Sequence, residues 1–543
     1  MAIVKSTAVA FLAAQAASAA TLRAHRQLSF LDIAGYQPNS QVTDHAAIDL
    51  DQAALESQLA LRTEESFDAA KQIYLEGGNS KSYAEIVLGT PLSGSIGKGA
   101  KIHGKNDEGK TITGKALDDY TSGTTQISVQ YDTTDEQDVY VQCQVGALPK
   151  AKAGLENTVG CFSASGNLKI DGTEYPYSYN PLVDNNNART ISGFSTGAMK
   201  KMYSDCPGCP YVDYEYYYNY YGAFDYANQW VLSALDGSKT NFNNGNADFS
   251  KFSLVGRQEA AKKGTAYMNI FMYVIREWED ALDDCKENCI NCNDDPVHAW
   301  DEGVAFYTGS MEGTDGSGDG KLLHGLADKR CTDFATCGTN ADAKTGTAKV
   351  NYDLFDHFAL GQHQLLVGNC AAARTTKEKI VDIMYIPLVQ GTIRYAYKVA
   401  KLQGAEKEKA EGAVFAAAVL PRIAAANPNA AEKIYTSMKV GASSTDFHAV
   451  KSAFESTYRN LGITCKQVGG LWNDATGSYY EGASPCKDAS TKANKGTTGI
   501  IVGSVFAGVA VIAVGFVLFM RRREIKGQPV FQTKQVDEGA DMN

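Results

Sequence analysis

The best example of a helical pattern in this chain is GRQEAAKKGTAYMNIFMYVIREWEDALDDC, residues 256–285. Its apolar side chains follow one another at intervals of four, three and four: Tyr267, Phe271, Val274 and Trp278. That spacing places them on one face of an α-helix. The segment therefore predicts a long helix whose broad apolar face is covered by other helices.

Helical patterns extend over about 190–460, so the chain is predicted to be mainly α, with a helical bundle as its core. Individual helical segments are predicted at 44–83, 296–308, 350–368, 377–402, 405–425, 429–440 and 446–460. Pro387 and Pro421 fall inside two of them. We expect these prolines to kink or end their helices, because proline lacks a backbone N–H and clashes with the preceding turn.

The segment of about 87–180 has a different composition. Gly, Ser and Thr are frequent, and short runs typical of strands lie at 124–131, 139–145 and 166–170. The pattern predicts a β-rich or irregular insert that interrupts the helical part of the chain.

A weak internal repetition raises the question of whether the bundle is duplicated. The motif Tyr-x-x-Phe-Asp begins at Tyr221 and again at Tyr352, and a Gly-Thr pair follows each copy at a similar distance. The shared order favours two related halves about as strongly as one undivided bundle. Both arrangements stay open at the level of the sequence.

The two ends of the chain predict a protein that lies mainly outside the cytoplasm. Residues 1–19 combine a positive charge, an apolar run and the small-residue pattern Ala-Ser-Ala, as a secretory signal peptide does. Residues 499–520 are uncharged and long enough to cross a bilayer. The basic residues that follow predict that 521–543 form a cytoplasmic tail. Between the ends we expect an ectodomain, 20–465, and then a disulfide loop and stalk, 466–498.

The cysteines and the net charge agree with an extracellular location. All 12 cysteines lie between Cys143 and Cys486, and an even number in an oxidising compartment indicates disulfides. Cys206-Pro-Gly-Cys209 as a redox pair and the cysteines at 285, 289 and 292 as zinc ligands are less favoured alternatives. The formal net charge of -11 argues against nucleic acid as a partner and suits the attraction of cations.

Two oxygen-rich stretches offer ligands for a hard metal ion. Residues 211–226 hold eight tyrosines together with acidic residues, and residues 294–302 read DDPVHAWDE. Phenolate, carboxylate and imidazole form a ligand set that suits ferric iron. Most of the tyrosines are expected to serve in packing or at the surface instead.

The second stretch predicts a helix that presents three candidate ligands. Asp295 followed by Pro296 is typical of a helix start. His298, Asp301 and Glu302 then share one face, because their spacings are three and four residues. Carboxylate and imidazole at such spacing hold metals in helical proteins. In the alternative interpretation Asp295 only caps the helix and the acidic residues face water.

Several longer blocks resemble the phytotransferrin family, the iron-starvation-induced surface proteins of marine algae, related to the low-iron-inducible iron-assimilation proteins of green algae. The blocks are Lys263–Tyr267, Arg276–Leu282, Asp294–Gly309 and Gly320–Arg330. The resemblance covers the outer domain, most firmly about 215–400. It implies capture of ferric iron with carbonate as a synergistic anion, at the plasma membrane, and then endocytosis into vesicles. The tail segment QPVF at 528–531 loosely resembles the internalisation signal Asn-Pro-x-Tyr, through which endocytic machinery would be recruited.

The resemblance also directs the choice of site residues, since transferrin-type chemistry uses tyrosine, aspartate, histidine and an arginine that holds carbonate. The expected iron ligands are His298, Asp301, Glu302, Tyr221 and Asp225. Arg257 is the expected carbonate partner. If each half holds a site, the second set is Tyr352, Asp356 and His357.

Two other function classes compete with an iron receptor, which would not be an enzyme. One is a disulfide-rich adhesion or structural surface protein, which predicts no stoichiometric metal. The other is a surface hydrolase, because the helical blocks distantly resemble imelysin-type proteins with a His-x-x-Glu motif. Here that motif reads His298-x-x-Asp301, with Glu302 one place late.

Overall fold

The structure is a computed structural model that describes residues 31–40, 42–79, 81–107, 109–131, 161–180, 184–187, 189–286 and 296–487. The predicted signal peptide, membrane helix and cytoplasmic tail lie outside these ranges, as do the strand predicted at 139–145 and Asp295. Within the described ranges no helix is long and apolar enough to span a bilayer.

Helices dominate the described residues, as the sequence predicts. The first group precedes the sheet: α1 Thr43–Ala46, α2 Ile48–Leu59 and α3 Glu64–Glu76. The central group is α4 Ile191–Thr196, α5 Val212–Tyr221, α6 Tyr226–Asp236, α7 Leu254–Gly264, α8 Phe271–Lys286 and α9 Pro296–Thr308. The last group is α10 Leu323–Phe334, α11 Lys349–Leu366, α12 Cys370–Lys401, α13 Glu406–Ala426, α14 Pro428–Met438, α15 Phe447–Glu455 and α16 Cys465–Val468.

Residues 256–285 belong to one nearly continuous helical rod. A π-helical stretch, Thr265–Ile270, joins α7 to α8. The Ser253 hydroxyl caps the start of α7 by accepting a hydrogen bond from the Val255 N–H. Phe271, Val274 and Trp278 are completely buried, so the predicted apolar face is the centre of the helical core.

The prolines do not end their helices. Pro387 lies inside the 32-residue α12, and Pro421 lies inside the 21-residue α13. Each proline removes only one backbone donor, and both lie among buried neighbours that hold the helix on either side. The expectation that either helix ends at its proline is therefore wrong.

The predicted insert is a closed antiparallel sheet with its own apolar core. Its strands in the described ranges are β1 Lys81–Leu88, β2 Lys101–Lys105, β3 Thr111–Ala116, β4 Gln126–Tyr131, β5 Ser165–Ile170, β6 Thr173–Ser178 and β7 Asn185–Asn187. The order is β4-β3-β2-β5-β6-β1-β7, and β1 also pairs with β4, with Ile86 opposite Ile127. The sheet begins at Lys81, before the predicted boundary at about 87. The helix predicted to extend to residue 83 ends at Glu76 instead, because Gly77 caps it.

Disulfides connect distant and local parts of the helical region. Those within the described residues are Cys206–Cys209, Cys285–Cys370, Cys331–Cys337 and Cys465–Cys486. The last encloses the predicted small loop, which contains a short hairpin of β8 Trp472–Asn473 and β9 Ser478–Tyr479. Because Cys285 is bonded to Cys370, it is unavailable to the zinc alternative. Cys289 and Cys292 lie outside the described residues.

Candidate metal centre

Two histidines and a glutamate converge where the N-terminal segment meets α9. His298 and Glu302 are one helical turn apart on α9, with His298 Nε2 3.0 Å from Glu302 Oε1. His45, on α1, places its Nε2 2.6 Å from the same oxygen. The two imidazole rings lie 5.6 Å apart, edge to face. One carboxylate oxygen thus faces two imidazole nitrogens.

The separations suit a single small cation. One ligand atom from each of His45, His298 and Glu302 lies within 4.8 Å of the others. Among the residues that the structure describes, this is the only group of three His, Cys, Asp or Glu side chains close enough to hold a metal ion. Both histidines are buried, and Glu302 is partly exposed. His45 is therefore the enclosed side of the centre, and His298 and Glu302 form its more accessible side.

Asp301 holds the N-terminal loop in place instead of facing the centre. Its carboxylate accepts hydrogen bonds from the N–H groups of Asn39 and Ser40 at 2.8 and 2.9 Å, and from the Ser40 hydroxyl at 2.8 Å. The Tyr36 hydroxyl and the Gln362 amide donate to its other oxygen at 2.5 and 2.8 Å. This loop leads directly into α1, so Asp301 fixes the position from which the first histidine reaches the centre.

The two adjacent carboxyl groups have different acidities. Burial raises the pKa of Glu302, but the charges and hydrogen bonds of His45 and His298 outweigh it and hold the pKa well below its usual range. Burial raises the pKa of Asp301 to about 6, against the opposing effect of its hydrogen bonds. Glu302 is consequently ionised at neutral pH, as a metal ligand must be.

A cationic and aromatic wall lies beside the carboxylate. Lys201 Nζ donates to the Tyr273 hydroxyl at 2.8 Å, and the Arg276 guanidinium lies 5.7 Å from the Tyr273 ring centre. Lys201 is exposed as a whole residue, but desolvation of its ammonium lowers its pKa, and the charge of Arg276 adds to that effect. The negative charge of Glu302, in contrast, raises the pKa of both Lys201 and Arg276. The charge of the candidate ligand Glu302 therefore affects the pKa of both cations.

Aromatic packing connects this wall to the histidines. Phe306, on α9, contacts the rings of both His45 and Tyr273 at centroid distances of 5.5 Å. Phe194 stacks on Tyr273 at 3.9 Å and is nearly parallel to it. Phe306 therefore links the ring of Tyr273 to the ring of His45.

The other predicted ligands of the first set lie elsewhere in the fold. Tyr221 is completely buried, and its hydroxyl donates to the Ala417 carbonyl at 2.7 Å. Asp225 precedes α6 and accepts hydrogen bonds from the side chains of Asn228 and Gln229. Tyr221 supports core packing and Asp225 supports the start of a helix, and the structure brings neither to His298.

Arg257, the expected carbonate partner, holds the end of a helix. Its guanidinium donates to the carbonyls of Ala234 and Leu235 at the end of α6, and it pairs with Glu64 at 3.2 Å. The second predicted set lies on the outer helix α11, where Tyr352 and Asp356 are exposed and His357 is partly exposed. Since Tyr221 is buried and Tyr352 is not, the two copies of the motif are not equivalent in position.

His45 is the residue that sequence reasoning missed. It lies in the sequence Thr-Asp-His-Ala, which has no metal-binding spacing of its own, far from His298 along the chain. Only the folded chain brings them together. The one local signal is a histidine at the start of a predicted helix, and that is too common to single out.

Part of the chain matches one known protein family. Residues 237–482 match the family described as low iron-inducible periplasmic protein. No curated protein and no solved structure matches the chain. The matched segment contains His298 and Glu302, whereas His45 and the sheet precede it. Over residues 237–482 the chain therefore fits an iron-starvation-induced protein family, as the sequence resemblance predicts.

Proposed function

We propose that this protein captures ferric iron outside the cytoplasm, with His45, His298 and Glu302 as its protein ligands and carbonate as the accompanying anion. The observation that carries the proposal is the convergence of these three groups within 4.8 Å. The family context, a low iron-inducible periplasmic protein, supports iron as the metal and a location outside the cytoplasm.

The ligand count leaves room for an anion. Two imidazoles and one carboxylate are the set that holds non-haem Fe(II) with open coordination positions. Ferric iron favours oxygen donors, so the remaining positions suit a chelating oxyanion and water. Carbonate supplies two oxygens and balances part of the ferric charge.

We assign that anion to Lys201 and Arg276, two cations on which the charge of Glu302 acts. Arg276 is mostly buried, and its Nε has no hydrogen-bond partner within the described structure, although its terminal nitrogens pair with Glu277 and Asp280. Lys201 adds a charge at the accessible edge. These two side chains replace Arg257 in the proposed mechanism, because Arg257 is engaged at a helix end.

The uptake step of the proposal depends on the two ends of the chain. Membrane anchoring through 499–520 would hold the binding unit at the cell surface, and endocytosis through the tail would carry it into vesicles. Protonation of carbonate in an acidified vesicle would then remove the anion and release the iron. In this scheme the protein is a receptor and not an enzyme.

The test is a titration of the purified full-length protein with ferric iron at about pH 8, with and without bicarbonate. Wild type should bind iron stoichiometrically only with bicarbonate. Glu302→Gln should weaken binding by roughly a hundredfold, since even outer-shell partners cost about ten- to a hundredfold. His363→Ala, an exposed histidine on α11, is the matched control and should bind as wild type does. Absence of iron binding to wild type would refute the proposal and favour the adhesion function.

A zinc hydrolase is the second candidate, for a specific reason. Two histidines and a glutamate with an open position are also the ligand set of catalytic zinc sites. That function predicts hydrolysis of peptide or ester substrates that requires zinc and is lost in Glu302→Gln. Stoichiometric zinc binding with turnover, and no effect of bicarbonate, would favour it over iron capture.

A further inference from the structure

A separate cavity in the helical region has a strongly basic lining. Its volume is about 270 Å³, and six cationic side chains face two carboxylates in its wall. The cations are Lys262, Lys263, Lys321, Lys329, Arg330 and Arg394. In a chain with a formal net charge of -11, such a concentration of positive charge points to an anionic ligand.

The ion pairs around the cavity leave the cations incompletely neutralised. Asp319 is shared by Lys321 and Lys329, at 2.9 and 3.7 Å. Asp333 is likewise shared by Arg330 and Arg394, at 2.9 and 2.8 Å. Neither aspartate belongs to the lining. Because two cations share each carboxylate, some of their N–H donors remain available to a ligand in the cavity.

Lys262 and Lys263 form a third pair of cations in the lining of the cavity. Both contact Glu259, and Lys263 also contacts Glu411, which is one of the two lining carboxylates. With Glu56 as the other, five carboxylates face six cations. The cavity thus keeps a net positive charge even when every pair is counted.

Arg330 supplies the sharpest sign of a missing partner. Its residue is 7% exposed, and its Nε has no hydrogen-bond partner in the described structure. A buried guanidinium N–H without a partner is costly, because desolvation of the donor is not compensated. The carboxylate of a ligand would accept hydrogen bonds from the guanidinium N–H groups of Arg330, whose spacing matches the two carboxylate oxygens.

One wall of the cavity is aromatic. Phe415 stacks on Tyr267 at 5.2 Å and on Tyr395 at 5.8 Å, with the rings nearly parallel in both pairs. Such a wall offers nothing to a bare inorganic ion. It suits the carbon skeleton of an organic ligand whose charged groups reach the cations.

We propose that this cavity binds a small organic polycarboxylate, with one carboxylate on Arg330 and another on Lys321 and Lys329. The volume agrees, because a water molecule occupies about 30 Å³ of liquid and a cavity of about 270 Å³ has room for an organic molecule of several heavy atoms. The site shares no lining residue with the metal centre, and the inference does not depend on iron capture.

The test uses metal-free full-length protein and citrate as the polycarboxylate probe, followed by titration calorimetry. Citrate should bind saturably at one site, and inorganic phosphate should bind at least about tenfold more weakly. Lys321→Gln with Lys329→Gln should weaken citrate binding at least tenfold. Both side chains are partly or fully exposed, so this double variant is expected to fold.

The control removes two lysines from a different cavity. Lys251 and Lys409 are exposed and line a smaller cavity of about 170 Å³. Lys251→Gln with Lys409→Gln changes the net charge equally and should leave citrate affinity unchanged. His298→Ala should also leave it unchanged, which separates this site from the metal centre. No saturable binding, equal weakening in the control, or phosphate binding as tight as citrate would each overturn the proposal.

Discussion

Asp301 and Glu302 are adjacent on α9, yet one carboxylate anchors a loop and the other faces two histidines. Asp301 accepts five hydrogen bonds from the loop at residues 36–40 and from Gln362. Glu302 lies within 3.0 Å of Nε2 of both His45 and His298. Asp301 therefore supports the structure around the centre, whereas Glu302 is a candidate ligand. Substitutions of the two residues should have different effects.

Asp301→Asn should destabilise the fold more than Glu302→Gln does. The buried amide cannot replace a carboxylate that accepts five donors, and hydrogen bonds to charged groups contribute roughly 1.5–3 kcal/mol each. We expect a loss of at least roughly 2 kcal/mol in the free energy of unfolding, measured by denaturant titration. Glu302→Gln should weaken iron binding by roughly a hundredfold and lose less stability than Asp301→Asn does. Equal stability of the two variants would contradict this assignment.

Lys201→Gln should raise the bicarbonate concentration needed for iron binding. Its ammonium lies at the Tyr273 hydroxyl beside the centre, so its loss weakens an anion held there. We expect the bicarbonate concentration needed for iron binding to rise about tenfold, which corresponds to the loss of one hydrogen bond from a charged group. Iron titrations at several bicarbonate concentrations measure it. The neighbouring, exposed Lys200→Gln is the control; an equal shift in both variants would exclude a specific role for Lys201.

Asp49 gives a prediction for the pH dependence of stability. Burial raises its pKa from 3.8 to about 7, against hydrogen bonds from Ser310 and Met311. The folded state thus binds a proton that the unfolded state has lost, so this residue's contribution to stability falls as pH rises from about 4 to about 7. The difference corresponds to at most roughly 4 kcal/mol.

Asp49→Asn should remove that contribution. The variant should match wild type near pH 4 and become relatively more stable towards neutral pH. Unfolding free energies of both proteins across this range give the difference, in which other titrating groups cancel. A difference that does not change with pH would show that Asp49 has an ordinary pKa in the folded protein.

The disulfide Cys285–Cys370 should stabilise the helical core more than Cys465–Cys486 does. The first encloses a sequence separation of 85 residues and the second one of 21. Loop-closure entropy gives roughly 4–5 and 3 kcal/mol, respectively. Paired Cys→Ala variants, compared by thermal unfolding, should show the larger loss for the first pair. The reverse order would mean that strain or residual structure dominates.

Much of the helical architecture could be predicted from the sequence because its apolar periodicity is strong. The helix predicted at 296–308 is observed as Pro296–Thr308, and the strand predicted at 124–131 as Gln126–Tyr131. Helix α5 was not predicted as such. Its run of tyrosines conceals the pattern, because the buried Tyr214, Tyr217 and Tyr221 are the same residue type as the partly exposed Tyr216, Tyr218 and Tyr220.

The candidate site could be predicted only in part. The spacing of His298 and Glu302 on one helix is local information, and the structure brings these two side chains together. His45 comes from a distant segment that only tertiary packing places opposite them. Asp301 carries a carboxylate as Glu302 does and lies at nearly the same spacing from His298, so the sequence could not reveal that it turns towards Ser40.

The central claim is that His45 completes an iron site with His298 and Glu302. The most direct measurement is a ferric iron titration of full-length His45→Ala at about pH 8 with bicarbonate, beside wild type and His363→Ala. We expect stoichiometric binding to wild type and to the control, and a loss of roughly a hundredfold in affinity for His45→Ala. Unchanged affinity in a folded His45→Ala protein would contradict it.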